Sequence, residues 1–209
     1  ELKIGGKGDM ADDERPWDSY AYSINKITIE EGVTSIGEEA FYRCESLESI
    51  TIPDSVTSIG EGAFRYCDSL TSVTIPDSVT SIGSYAFSGC SSLPSVKLPD
   101  SIIGMGRRVF ENCVKLTSVN YPASWTECYS TNNYYEDQYG YIFAGCKALT
   151  EIVIPEGVTA IPAYAFQGCE KLKNVVIPST VETIGNRAFA NSGIAAVSLP
   201  ESLTSIGSY

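Results

Sequence analysis

The chain contains no histidine. That absence removes the commonest general base and metal ligand, and with them every Ser-His or Cys-His nucleophile pair. Long apolar runs are also missing, and no stretch reaches the roughly 18 residues of a transmembrane helix. Positive charge is scarce: 14 Lys and Arg stand against 26 Asp and Glu, for a net charge of −12. Phosphate backbones need clustered Lys and Arg, and along this sequence the basic residues are scattered, which argues against nucleic acid. The same balance disfavours an anionic membrane surface. No signal peptide is visible; a chain that starts at Glu1 fits a trimmed mature fragment as well as a cytosolic start.

What is present is a repeat. Phe41, Phe64, Phe87 and Phe110 are 23 residues apart, as are Phe143, Phe166 and Phe189. The step from Phe110 to Phe143 is 33, one repeat plus ten residues. Units such as LESITIPDSVTSIGEGAFRYC, LTSVTIPDSVTSIGSYAFSGC and LTEIVIPEGVTAIPAYAFQGC share the consensus L-x-x-I-x-I-P-x-x-V-x-x-I-G-x-x-A-F-x-x-C. Each holds two short period-2 stretches rich in Val, Ile and Thr, which favour strands. Pro ends the first and Gly the second. A-F-x-x-C is too short for an independent helix and reads as one helical turn. No unit can bury its own apolar face, so stacked units must share a core. The expected fold is a right-handed leucine-rich-repeat solenoid of about eight 23-residue coils, with parallel short strands, Pro/Gly turns and a short helical turn in each. With 43% hydrophobic residues among 209, the core can be substantial.

Residues 1–23 read as an N-terminal capping segment and 24–209 as the solenoid. Trp17 lies next to the position one repeat before Phe41, and reads as a plug over the open end of the phenylalanine ladder; ligand stacking is the alternative. Trp125 falls at the inward Val position and Cys128 at the inward Ile position. The insertion proper is close to Ser130–Tyr139, STNNYYEDQY. Ile206-Gly207-Ser208-Tyr209 matches Ile82-Gly83-Ser84-Tyr85, so the sequence stops inside a repeat, as expected of a fragment of a longer protein; an open end that pairs with another chain is the alternative.

Six of the seven cysteines, Cys44, Cys67, Cys90, Cys113, Cys146 and Cys169, share one repeat position, flanked by Ala21 and about Ser192. Stacked coils hold equivalent atoms about 4.8 Å apart, wider than the roughly 3.8 Å between disulfide Cβ atoms. A straight column offers zinc no tetrahedral ligand set. Buried free thiols are the expected state. Asp54, Asp77 and Asp100, with Glu31 and Glu156 in register, could bind calcium weakly, but turn carboxylates ordinarily bond their own backbone. No cofactor, metal or catalytic residue is expected.

Candidate binding residues lie where the repeat varies. Along the outward face of the first strand, Thr28, Thr51 and Thr74 give way to Lys97 and Asn120, and in the neighbouring column a run of serines gives way to Glu151 and Asn174. In the insertion, Asn132, Asn133, Tyr134, Tyr135, Glu136, Asp137, Gln138 and Tyr139 combine large rings with hydrogen-bonding groups, a composition suited to protein or sugar contact. The alternative is that these rings only cover the solenoid flank.

The consensus resembles that of the BspA-like bacterial leucine-rich-repeat surface proteins over about residues 24–209, and GKGDM (6–10) with Pro16-Trp17 is similar to the leader before their first repeat. The resemblance implies an extracellular or cell-surface location and a non-catalytic adhesion module that contacts a host matrix or cell-surface protein. A structural spacer without its own ligand and a carbohydrate-binding module using the tyrosine-rich loop are the competing readings. Membrane insertion is not expected.

Overall fold

The fold is that of a computed structural model, which describes residues 1–12, 15–122, 128–129 and 140–208. Successive coils contribute strands to two parallel ladders. The first ladder takes Leu2–Ile4, Lys26–Ile29, Ser49–Thr51, Ser72–Val73, Ser95–Val96, Ser118–Val119, Glu151–Val153 and Asn174–Val176. The first comes from the leader and the other seven from successive coils, and the last coil adds a strand to the second ladder alone. Pairing joins residues one repeat apart, as in Ile27 with Ile50 and Ile50 with Val73. The second ladder begins at Gly8–Asp9, runs through Val33–Ile36, Ser58–Ile59, Ser81–Ile82 and Gly104–Gly106 to Cys128–Tyr129, and resumes as Ala160–Ile161, Thr183–Ile184 and Ser205–Ile206. There Met105 pairs with Cys128, the Ile-column register that the sequence places Cys128 in. Trp125 lies outside the described residues. The leader thus supplies a strand to both ladders.

Proline ends the first strand because it has no N–H to donate to the ladder. Its carbonyl then closes a turn: the N–H groups of Val56, Val79 and Val181 donate to Pro53, Pro76 and Pro178 at 3.1, 3.0 and 3.3 Å. Ser55, Ser78 and Ser101 in these turns donate to the carbonyls of Val33, Val56 and Val79 one coil back, at 2.6 to 2.7 Å. The turn carboxylates Asp54, Asp77 and Asp100 stay exposed.

The A-F-x-x-C segment is not the expected helical turn. Its donors alternate: Tyr42 and Cys44 bond back to Glu39 and Phe41 within the coil, whereas Glu39, Phe41 and Arg43 bond forward to Glu61, Ala63 and Arg65 in the next. A helix would keep every bond within its own turn. The alternation is achieved by two left-handed residues per coil, for example Glu39 and Arg43 at φ 49° and 58° and Tyr164 at 58°.

Between the ladders and the turns lies one continuous core. The phenylalanines stack as a column with centroid spacings of 5.1 to 5.7 Å. The column crosses the insertion without interruption, Phe110 and Phe143 being 5.7 Å apart and 5° from parallel. Trp17 closes its start, stacked 5.6 Å from Phe41, with its indole N–H donating to Ala40 O at 2.8 Å. The last coil turns Val197, Leu199 and Ile206 toward solvent.

Close stacking dictates the glycine that follows the second strand. A Cβ on Gly83 would lie 2.5 Å from Glu61 N, and one on Gly106 2.2 Å from Ser84 N. Pro162 occupies this column just after the insertion, where its neighbour across the coil is Gly140.

Candidate functional site

The first ladder is not continuous. It is paired from Leu2–Ile4 to Ser72–Val73, then breaks, resumes for Ser95–Val96 with Ser118–Val119, breaks again, and resumes for Glu151–Val153 with Asn174–Val176. The breaks fall where the plain Thr/Ser face gives way to Lys97, Asn120 and Glu151. At the second break a groove of about 540 Å³ opens, with Lys97, Asn120 and Glu151 on its walls and Val119, Ile152 and Val153 beneath them. A second depression of about 480 Å³ lies at the first break between Asp54, Thr74, Asp77 and Lys97. Lys97 borders both.

Three of the four strand-face candidates therefore meet in one groove. Asn174 does not; it sits one coil further on, paired with Glu151. Asn120 is among them, and its amide is already engaged within the fold. Its Oδ1 accepts from Leu98 N–H at 2.7 Å and its Nδ2 donates to Leu98 O at 2.8 Å. The side chain thus extends the pairing of Ser95–Val96 with Ser118–Val119 by two more bonds. Buried main-chain groups need partners, and here an amide side chain of matching chemistry provides them. Lys97 and Glu151 remain exposed, and beside them Val153 and Val176 are 60% and 56% exposed. These two valines lie in the outward column, where apolar exposure adds contact area for a partner. The insertion residues Asn132, Asn133, Tyr134, Tyr135, Glu136, Asp137, Gln138 and Tyr139 lie outside the described residues.

The cysteine column is a core element. All six column thiols are free and fully buried. Each thiol from Cys67 onward donates to a phenylalanine carbonyl one coil back, Cys67 to Phe41, Cys90 to Phe64, Cys113 to Phe87, Cys146 to Phe110 and Cys169 to Phe143, all at 3.1 to 3.2 Å. Burial pushes Cys44 up to about 11, and Cys113 and Cys169 up to about 12. Cys67, Cys90 and Cys146 are also driven well above the ordinary thiol value by loss of water, with a further push from neighbouring cysteines. A neutral thiol is a poor nucleophile and a poor metal ligand. Among the described residues no group of three acidic, histidine or cysteine side chains is placed to hold a metal ion.

One feature escapes the linear reading. The chain has six arginines, and every one lies over a tyrosine ring along the turn edge of the coils. Arg15 and Arg43 cover Tyr42, and Arg43 also reaches Tyr66. Arg65 is held between Tyr66 at 4.9 Å and Tyr85 at 4.6 Å. Arg108 lies between Tyr85 at 5.8 Å and Tyr141 at 4.1 Å, and Tyr141 stacks on Tyr164 at 4.3 Å. Arg187 covers Tyr164 at 5.9 Å. Asp18 pairs with Arg15, and Glu111 pairs with Arg108 at 2.6 Å. These residues come from four different positions of the repeat, so no single column of the consensus displays them. The signal that could have found them is the recurrence of Arg and Tyr around A-F.

The family described as BspA type Leucine rich repeat region matches residues 19–140 and 136–209, in 6 copies. No curated protein matches the chain. Among solved structures, a leucine-rich repeat protein from Bacteroides ovatus is 28% identical with a TM-score of 0.84, over 99% of this chain and 53% of that one. This chain thus spans about half the length of that protein. A leucine rich repeat protein from T. pallidum is 26% identical with a TM-score of 0.65, over 88% of this chain and 73% of that one. The pneumococcal vaccine antigen PcpA shares the fold at 23% identity and a TM-score of 0.51, over 88% of this chain and 56% of the antigen.

Proposed function

This chain belongs to the BspA-type leucine-rich repeat family, and from that premise we propose that it is a non-catalytic binding module of a bacterial surface protein, which holds a host or neighbouring-cell protein on its strand face. The observation that carries the reading is the groove at the second ladder break. It gathers Lys97 and Glu151, one of each sign, next to the exposed Val153 and Val176. Opposite charges fix orientation and register of a partner, and the adjoining apolar area supplies affinity. Ordinary coils of the same face offer only Thr and Ser at these outward positions, such as Thr51, Thr74, Ser49 and Ser72. The tyrosine-rich insertion enters the chain between the two strands that border the groove, which recommends it as a second contact.

The test is binding of the purified chain to a panel of extracellular-matrix and cell-surface proteins, with glycans as a parallel arm. Lys97→Glu combined with Glu151→Lys should weaken capture roughly tenfold while leaving the melting temperature in place. Deletion of Ser130–Tyr139 tests the insertion separately. Wild-type binding that survives the charge reversal would remove the groove from the reading. No binding by wild type across the panel would favour a structural spacer.

A further inference from the structure

We infer that the Arg–Tyr flank is a second binding surface, independent of the strand-face groove, and that it takes a linear anionic polysaccharide bearing carboxylate or sulfate groups. The argument begins with charge. Outside this flank the basic residues are eight lysines against 26 acidic residues in the whole chain. All guanidinium groups are concentrated along one edge, so the molecule is strongly asymmetric. An approaching anion therefore meets the guanidinium groups along that edge, where Glu45, Asp68 and Glu111 also lie.

Geometry adds the second step. A guanidinium stacked between rings keeps its plane parallel to them and its N–H edge available. Arg65 is the most closely stacked case, held between Tyr66 and Tyr85 with Nη2 donating to Tyr66 Oη at 3.3 Å and Nε buried, which leaves Nη1 for a ligand. Arg43, its neighbour, is exposed and covers Tyr42 and Tyr66. Neither Arg43 nor Arg65 forms an ion pair with a carboxylate among the described residues, in contrast to Arg15 and Arg108. A fork held by stacking loses little freedom on binding a carboxylate or sulfate in the two-bond mode.

Repetition supplies the third. Coils recur every 5.1 to 5.7 Å along the phenylalanine column, close to the length of one pyranose in an extended glycan. The half-buried tyrosines between the guanidiniums leave ring edges that add contact for sugar rings. An extended polysaccharide can therefore lie along several coils and place successive anionic groups near successive arginines. A compact phosphate ligand would use only one.

The experiment is titration of the whole chain with size-fractionated heparin oligosaccharide and, in parallel, oligogalacturonate, at low ionic strength, read by calorimetry. Arms with neutral dextran, single-stranded oligonucleotide and inorganic polyphosphate identify the chemistry. Heparin or oligogalacturonate should bind, affinity should rise with oligosaccharide length, and dextran should not bind. Arg43→Gln with Arg65→Gln should lose binding roughly tenfold or more. Lys171→Gln with Lys173→Gln, which removes the same charge elsewhere, should leave it nearly intact. Arg65→Lys keeps the charge but not the fork and should still lose several-fold; it also guards against misfolding of the glutamine pair, with melting curves recorded for every variant. Equal losses in the lysine and arginine pairs, equal binding of polyphosphate or oligonucleotide, or no binding of either glycan would each overturn the proposal. Groove charge reversal should not change glycan binding, so the two surfaces fail or stand separately.

Discussion

The buried cysteine column makes alkaline stability a direct measure of the fold. In the unfolded chain a thiol ionises near pH 9; in the native chain Cys44 is pushed to about 11, Cys113 and Cys169 to about 12, and the other three well above normal. A group whose folded pKa is raised stabilises the native state fully below its unfolded pKa. That stability is then lost as pH rises toward the folded value. At pH 10 a thiol that is still protonated natively but about nine-tenths ionised in the unfolded chain represents a loss of about 1.4 kcal/mol. Six such thiols amount to about 8 kcal/mol, comparable with the whole stability of a domain. The expected result is a urea midpoint that changes little from pH 7 to 8.5 and collapses between about pH 9 and 10.5. Far-UV circular dichroism in reducing buffer reads it. The column's own share is isolated by substitution. Cys90→Ala together with Cys113→Ala should lower stability at pH 7 through cavity formation, yet recover about 3 kcal/mol of the alkaline loss. A pH slope unchanged by that pair would refute the claim that these thiols are held neutral by burial.

Three further outcomes test the stack. Gly83→Ala forces a Cβ to 2.5 Å from Glu61 N and should cost about 3 kcal/mol, whereas Gly157→Ala, which has open space but φ +96°, should cost about 1 kcal/mol; denaturant midpoints compare them. Asn120→Ala strips both hydrogen bonds from Leu98 and should destabilise by about 2 kcal/mol, and Asn120→Asp, which sets a carboxylate against Leu98 O, should do no better. Trp17→Ala uncovers the Phe41 ring and leaves Ala40 O without its indole donor, so hydrogen exchange of the first coil should accelerate while that of the coils around Phe143 stays slow.

Much of the fold is legible because the repeat is a local code. The 23-residue spacing names the inward Leu, Ile, Val and Phe of each coil, and those residues are buried in one core. The ten-residue surplus between Phe110 and Phe143 reads as an insertion that spares the ladder, and the two rings do stack. Trp17 reads as a plug from its register alone. The helical turn around A-F did not survive, since its hydrogen bonds are shared with the next coil and no single repeat reveals that. The site is only half legible. Variation marks Lys97, Asn120 and Glu151 as unusual, but not that Asn120 spends its amide on Leu98.

Sequence by itself determined the architecture, the register of the core and the burial of the cysteines, because side-chain period and strand pairing depend on spacing along the chain. Only the tertiary structure decided where the ladder opens into a groove and how the arginines are used. Along the chain the basic residues look dispersed. Stacking then brings Arg43, Arg65 and Arg108 onto one edge between Tyr66, Tyr85 and Tyr141. Cation–π contact depends on distances of a few ångströms across coils, and a repeat consensus that averages over columns cannot express them.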